Sequence, residues 1–164
     1  MRTTVTKTLG LFLTSFILLN ALPALANGNV LNTKLQQLSP ELWEELHEAK
    51  DKWVYLDFWA SWCVPCRRSF PFMNRLHRQY NDLRVIAINV DEFPEDAKGF
   101  LEQYPAEFRI IFDHKRVLPG VFNVKGMPTS LVIAPGGEVK AVHQGFNADG
   151  AAKISAFFKD VFNP

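Results

Sequence analysis

The side chains best suited to chemistry are the two cysteines of the segment Cys63-Val64-Pro65-Cys66. An apolar run precedes them and a helical pattern follows, so we expect the pair where a strand meets a helix. Unpaired amides and the helix dipole at such a junction stabilise a thiolate and lower the pKa of its thiol. We therefore predict that Cys63 is the exposed, attacking thiol. Cys66, one turn inside the helix and more buried, would resolve a mixed disulfide.

Three other uses of this cysteine pair are less well supported. A structural disulfide across so short a loop would stabilise the fold by only about 2 kcal/mol in the loop-entropy model. A zinc site needs about four ligands, and the histidines show no metal-binding spacing: His47, His77, His114 and His143. Covalent haem attachment needs a histidine directly after the second cysteine, where this chain has Arg67. The pattern favours redox chemistry, and we expect no metal site.

Asp57 is a further candidate because it interrupts the apolar stretch from Trp53 to Ala60. That stretch predicts a strand buried on both faces. Burial disfavours a charged carboxylate, so the pKa of Asp57 should rise. A raised pKa close to the redox turn suits a group that exchanges a proton with Cys66. The alternative, a carboxylate satisfied by neighbouring donors, stays open.

The first residues have the layout of a secretory signal peptide. A basic start is followed by an apolar run from Leu9 to Leu22 and by the small-residue pattern Ala24-Leu25-Ala26. We expect a signal peptide over residues 1–26, a single domain over 27–164, and export to the periplasm, where disulfides can form. The alternative is an uncleaved membrane anchor, although the apolar run is short beside the roughly 20 residues of a spanning helix.

Composition excludes two classes of protein. The chain has 48% hydrophobic residues, enough to build a core, which is not the composition of a disordered protein. Its 18 Lys and Arg are matched by 17 Asp and Glu, so no basic excess exists for nucleic-acid binding. We expect a monomeric globular protein.

The hydrophobic pattern alternates strands with helices and predicts an α/β fold around a mixed sheet. The predicted strands are Val30 to Leu35, Trp53 to Ala60, Val85 to Val90, Arg109 to Phe112, Ser130 to Ala134 and Val139 to Gln144. The predicted helices are Pro40 to Ala49, Pro65 to Tyr80, Pro94 to Tyr104, Val117 to Phe122 and a final amphipathic segment that includes Ile154 to Phe162. The segment Pro135-Gly136-Gly137 between the last two strands is a hairpin signal.

Two motifs carry a resemblance to a known superfamily. The segment Asp57-Phe58-Trp59-Ala60-Ser61-Trp62-Cys63-Val64-Pro65-Cys66-Arg67 resembles the active-site segment of the thioredoxin superfamily. Gly126-Met127-Pro128-Thr129 resembles its cis-proline loop, and the resemblance extends over about Leu35 to Phe162. The signal peptide, the continuation Arg67-Arg68-Ser69-Phe70-Pro71 and an extra helix-strand insertion at about residues 92–113 resemble the TlpA-like branch of exported thiol-disulfide oxidoreductases.

The resemblance implies a thioredoxin fold and a role for each motif residue. Cys63 would attack, Cys66 would resolve, and the disulfide between them would be the redox-active group, with no other cofactor. Pro128 would be a cis-proline whose loop faces the cysteines and pairs with substrate backbone, so that Trp62, Met127, Pro128 and Thr129 form the substrate-binding set. The packing alternative stays open for Trp62.

Three positions depart from the families that the chain resembles. Many TlpA-like reductases have Asn in place of Asp57, and often a Glu where this chain has Ser69. Thioredoxins pair their buried Asp with a Lys on the next central strand, where this chain has Ala87. Without that cation, Asp57 should be harder to ionise.

The implied function is protein-disulfide reduction. The clients would be disulfide-bearing exported proteins, apocytochrome c first and copper-centre cysteines of a respiratory oxidase next, with a membrane thiol-relay protein as electron donor. Val64 and Pro65 offer the Cys63 thiolate no side-chain donor, which places the potential nearer about −270 mV than about −120 mV. The alternatives are a copper-binding chaperone, since a cysteine pair binds Cu(I), and a general exported disulfide oxidant or isomerase.

Overall fold

The computed structural model describes residues 34–163. Residues 34–38 are helical, and the helices that follow are α1 (Pro40–Glu48), α2 (Cys66–Gln79), α3 (Pro94–Gln103), α4 (Leu118–Val121) and α5 (Ala148–Phe162). Its strands are β1 (Trp53–Trp59), β2 (Leu83–Asn89), β3 (Arg109–Phe112), β4 (Thr129–Ile133) and β5 (Val139–Gln144). Every predicted element from residue 40 onward is confirmed, with ends that move by a few residues.

The strand predicted over Val30 to Leu35 is wrong at its described end, because residues 34–38 are helical. Its first four positions, the predicted signal peptide and the boundary at residue 26 lie outside the described residues. Alternation of apolar side chains over six residues does not separate a strand from the edge of an amphipathic helix. Leu35 is buried, so the apolar pattern reflects packing.

The strands form one mixed sheet in the order β3-β2-β1-β4-β5. The pairs β1–β2 and β2–β3 are parallel, whereas β1–β4 and β4–β5 are antiparallel. The β4–β5 hairpin turns at Gly136 and Gly137, whose φ angles of 85° and 90° favour glycine. This is the mixed sheet with flanking helices that the sequence predicted, and α3 and β3 occupy the predicted insertion at 92–113.

Each face of the central strands is buried against helices. Tyr55 of β1 packs with Phe72 of α2 and Phe158 of α5 on one face. Leu56 and Phe58 pack on the other face, against residues of α1 and α4. Because both faces are covered, a polar residue in the middle of β1 is removed from water.

Local signals position α1 as predicted. The side chain of Ser39 caps the helix by accepting a hydrogen bond from Leu42 N at 3.3 Å, and Pro40 occupies the first turn. Glu45 of this helix joins it to the sheet, because its carboxylate forms ion pairs with Arg84 of β2 and Arg109 of β3. None of the described helices is long and apolar enough to span a membrane.

Candidate active site

The cysteine pair lies in the turn between β1 and α2. Cys63 N donates to Ala60 O, and Cys66 N donates to Cys63 O, both at 3.1 Å. A disulfide joins the two cysteines. Pro65, with φ −66° and ψ −21°, has helical angles and caps α2, so Cys66 is the first helical residue. The prediction of Cys66 one turn inside the helix is therefore wrong, because Cys66 is itself the first residue of α2.

The prediction that Cys63 is exposed is also wrong for the disulfide form. Cys63 is 3% exposed and Cys66 is fully buried. Cys63 is thus the more accessible of the two, as predicted, but only by a small margin. The turn folds Cys63 back onto the apolar cluster that contains Trp59 and Phe70. Its neighbours Trp62 and Val64 are each 62% exposed and form the apolar rim of the site.

Asp57 lies in the middle of β1 and is 1% exposed. As predicted, desolvation by burial raises the pKa of this carboxyl well above its ordinary value. Its Oδ2 has no hydrogen-bond partner within residues 34–163. The strand register places Ala87 beside it on β2 and Ser130 beside it on β4. The residue in register with Asp57 on β2 is therefore an alanine, which offers the carboxyl no positive charge.

The second motif lies at the same end of the sheet. The Met127–Pro128 peptide bond is cis, as predicted. Thr129 pairs with Phe58 in the register of β4 and β1, and its Oγ1 donates to Gly126 O at 2.6 Å. Continuing that register places Pro128 opposite Trp59, next to the turn that holds the disulfide. The residues predicted for the site thus lie on β1, at the junction of β1 and α2, or at the start of β4: Asp57, Trp62, Cys63, Cys66, Met127, Pro128 and Thr129.

A second buried acid, Asp91, was not predicted. It is 1% exposed, and its carboxylate accepts hydrogen bonds from Ser61 N at 2.9 Å and Ser61 Oγ at 3.0 Å. Asn89 Nδ2 also donates to it at 2.7 Å. These bonds fix the turn two residues before Cys63. The sequence did contain a signal for Asp91, because this acid directly follows the strand predicted over Val85 to Val90. Ligand and active sites of α/β sheets form at that carboxyl edge.

Two further positions are resolved by packing. Trp59 is fully buried, with its ring 4.8 Å from that of Phe70 and 4.7 Å from that of Phe100, so this side chain belongs to the core. Ser69 is buried and its Oγ donates to Cys66 O at 3.1 Å. The helix α2 contains no Asp or Glu, so it supplies no second carboxylate to the site.

Tyr55 adds a hydroxyl beneath the site. Its OH donates to Ser130 Oγ at 2.8 Å in a buried bond. Burial, and then the neighbouring Asp57, raise the pKa of Tyr55 above its ordinary range. Tyr55 thus remains a neutral hydrogen-bond donor. Within the described part of the chain, no three His, Cys, Asp or Glu side chains cluster as metal ligands.

Comparison with known proteins agrees with this geometry. The model of the AhpC/TSA family matches residues 32–142. The thiol-disulfide oxidoreductase ResA of Bacillus cereus is 36% identical over 97 residues, which cover 58% of this chain and 56% of that relative. ResA of Halalkalibacterium halodurans is 32% identical over 124 residues, covering 74% and 70%. The chain thus spans little more than half the length of the Bacillus relative.

Solved structures extend the comparison. A crystal structure from Chlorobium tepidum, described as a thiol:disulfide interchange protein DsbE, is 43% identical with a TM-score of 0.68, covering 70% of this chain and 83% of that one. StoA from Bacillus subtilis is 20% identical with a TM-score of 0.58, covering 66% and 83%, and shows the shared fold alone.

Proposed function

Because the chain belongs to the AhpC/TSA family, within the thioredoxin superfamily, we propose that it is a thiol-disulfide oxidoreductase that cycles Cys63 and Cys66 between dithiol and disulfide. The observation that carries this proposal is the disulfide in the turn at the end of β1, with a buried acid on that strand and the cis-Pro128 loop beside the turn. Such an arrangement provides a nucleophile, a resolving thiol and a proton acceptor within one site.

The exchange proceeds in two steps. The Cys63 thiolate attacks one sulfur of a client disulfide, so a Cys63–client disulfide forms and the other client sulfur leaves as a thiolate. Asp57 then takes the proton of Cys66, whose thiolate attacks Cys63 Sγ. The Cys63–Cys66 disulfide forms, the second client thiolate leaves, and the client has gained the two electrons that the protein has lost.

The proposed client-binding surface is the rim of this site. Trp62 offers an exposed apolar face next to Cys63. Met127 and Pro128 lead into β4, whose first residue is Thr129, and an extended client segment would pair with the backbone of this stretch. This arrangement suits a partly unfolded polypeptide, because an extended segment leaves its backbone groups free to pair.

We also propose the reductive direction and an exported location. The signal-peptide pattern over residues 1–26 supports export, with the domain beginning at residue 27. Apocytochrome c cysteines are the first client class, a membrane thiol-relay protein is the electron donor, and the protein acts as a monomer with the disulfide as its sole redox group. The absence of a side-chain donor at Val64 and Pro65 supports a low potential.

The test combines activity with trapping. The purified protein should accelerate insulin reduction by dithiothreitol, and a Cys63→Ser variant should not. A Cys66→Ser variant should accumulate mixed disulfides whose clients can be identified in an extract of exported proteins. Equilibration with glutathione should give a potential close to about −270 mV, and a value above about −180 mV would overturn the reductive direction. Stoichiometric copper in a protein without exchange activity would instead support the chaperone alternative.

A further inference from the structure

A row of polar side chains crosses the sheet at the level of Asp57. In the strand register, Ser130 of β4 lies directly opposite Asp57, and His143 of β5 lies directly opposite Ser130. Directly opposed residues of antiparallel strands project from the same face, with Cβ atoms about 4.5–5.5 Å apart. The register irregularity between β4 and β5 lies further along, between Val132 and Ile133. The row therefore runs unbroken from the centre of the sheet to its β5 edge.

Exposure increases along this row. Asp57 is 1% exposed, with an unpartnered Oδ2 among the described residues, and Ser130 is 4% exposed. His143 is half-buried on the edge strand and reaches water. A proton that arrives on Asp57 therefore has a line of polar groups toward solvent on the β4 side. On the other side, Ala87 provides no polar group.

Tyr55 orients the middle member of the row. A serine hydroxyl can accept hydrogen bonds and still donate its own hydrogen. Because Tyr55 OH donates to Ser130 Oγ, the Ser130 hydrogen remains free to turn toward Asp57 or His143. Closing the gap from Ser130 to either neighbour would take a rotamer change or one bridging water molecule.

We propose that Ser130 and His143 relay protons between Asp57 and solvent, a role that rests on the thiol-disulfide exchange proposed above. After Asp57 has taken the Cys66 proton, it passes a proton to Ser130 Oγ while Ser130 gives its own hydrogen to a ring nitrogen of His143. His143 then releases a proton to water, Asp57 returns to the carboxylate, and Cys66 remains as the attacking thiolate. The route stays open when a client covers the Cys63 rim.

The titratable groups that face the row come from three elements, β1, α2 and α5. Tyr55 neighbours Asp57 on β1, and Cys66 of α2 belongs to the apolar cluster on this face. Lys153 of α5 is the cation near His143 on β5. Burial first, and then Lys153, lower the pKa of His143, so its ring is mainly neutral at neutral pH and able to accept a proton.

The test measures how fast Cys66 resolves a preformed mixed disulfide across the neutral pH range. His143→Gln should slow this step by roughly tenfold, less than the ~100-fold or more of a group that acts on the thiol directly. Ser130→Ala should slow it similarly. The glutathione redox potential should not change, because a relay alters a rate and not an equilibrium. His47→Gln is the matched control, since His47 stacks on Trp43 of α1 on the opposite face.

Chemical rescue separates a relay from a structural role. Imidazole added to His143→Ala should restore the rate, whereas sodium chloride at the same ionic strength should not. His143 lies at the sheet edge, so its substitution leaves the core intact. Wild-type rates and pH profiles in both His143→Gln and Ser130→Ala would overturn the relay while the proposed function stands. A wild-type protein that exchanges no disulfides would instead overturn the function.

Discussion

Asp57 is an ionisable residue inside a sheet with no cation in register on either neighbouring strand. Its burial favours the protonated form, and the only residues beside it in register are Ala87 and Ser130. Desolvation is therefore what raises the pKa of Asp57. In the proposed relay, the proton of Asp57 passes first to the neutral hydroxyl of Ser130. This differs from a buried carboxylate held as an anion by a paired lysine or arginine, whose pKa falls.

The first prediction is that Asp57→Asn stabilises the folded protein and slows its chemistry. Folding raises the pKa of Asp57 above its ordinary value of 3.8, so the native state holds a proton that the unfolded chain releases. As pH increases from 3.8 to the folded-state pKa, the free energy of unfolding must then fall by about 1.4 kcal/mol for each pH unit. Asp57→Asn should lose this slope and unfold at higher urea concentration at neutral pH.

The same variant should resolve mixed disulfides more slowly by a factor of about 100 or more, because Cys66 loses its direct proton acceptor. Urea titrations at several pH values and single-turnover kinetics provide the two measurements. An Asp57→Asn protein that is less stable than wild type at neutral pH would contradict the assignment of desolvation as the dominant cause.

At the scale of elements, hydrogen bonds connect the turn after β1 to the segment after β2, and these bonds position the site. Asp91 spans this junction by accepting hydrogen bonds from Ser61 N and Ser61 Oγ. Its backbone NH donates to Asn89 Oδ1 at 3.2 Å, and Val90 N donates to Trp59 O at 3.0 Å. The ends of the two central strands and the redox turn therefore form one hydrogen-bonded unit.

The second prediction is that Asp91→Asn loosens this unit. The substitution keeps the shape but removes the charge, and its amide NH2 meets donors from Ser61 and Asn89. Loss of hydrogen bonds to a charged acceptor should lower the free energy of unfolding by about 1.5–3 kcal/mol. Glu102→Gln, at an exposed position on α3, should change it by less than about 0.5 kcal/mol. Equal urea midpoints for the two variants would contradict the anchoring role.

At the scale of the whole molecule, α5 closes the face of the sheet that contains Asp57. Phe158 is fully buried and contacts the rings of Tyr55, Tyr80, Phe157 and Phe162. The same helix carries Lys153 near His143. The packing of α5 and the burial of Asp57 thus belong to the same face of the sheet.

The third prediction is that Phe158→Ala lowers the free energy of unfolding by about 3–5 kcal/mol through the cavity that it creates. That is a large share of the roughly 5–15 kcal/mol of a typical domain, so a strong fall in melting temperature should accompany it. Phe93→Ala is the matched control, because Phe93 is 60% exposed and its substitution should have little effect on stability. Similar melting temperatures for the two variants would contradict the closing role of α5.

The sequence alone determined the elements and the chemistry-bearing motifs. Apolar periodicity, the Ser39-Pro40 start and the glycines of the hairpin act over a few residues, so their consequences are local and predictable. The spacing of Cys63 and Cys66 and the resemblance at Pro128 identified the site for the same reason. Two local predictions failed: the strand ending at Leu35, where a short apolar pattern was compatible with a helix, and the placement of Cys66 one turn inside α2, which begins at that residue.

Only the tertiary structure decided which residues surround the disulfide. The placement of Ser130 and His143 in line with Asp57 depends on strand register, and the bonds of Asp91 to Ser61 join residues 30 positions apart. The burial of Cys63 depends on how its turn folds onto Trp59 and Phe70. These are long-range pairings that chain-local patterns do not encode, because register and side-chain contact arise only when separate strands and helices pack together.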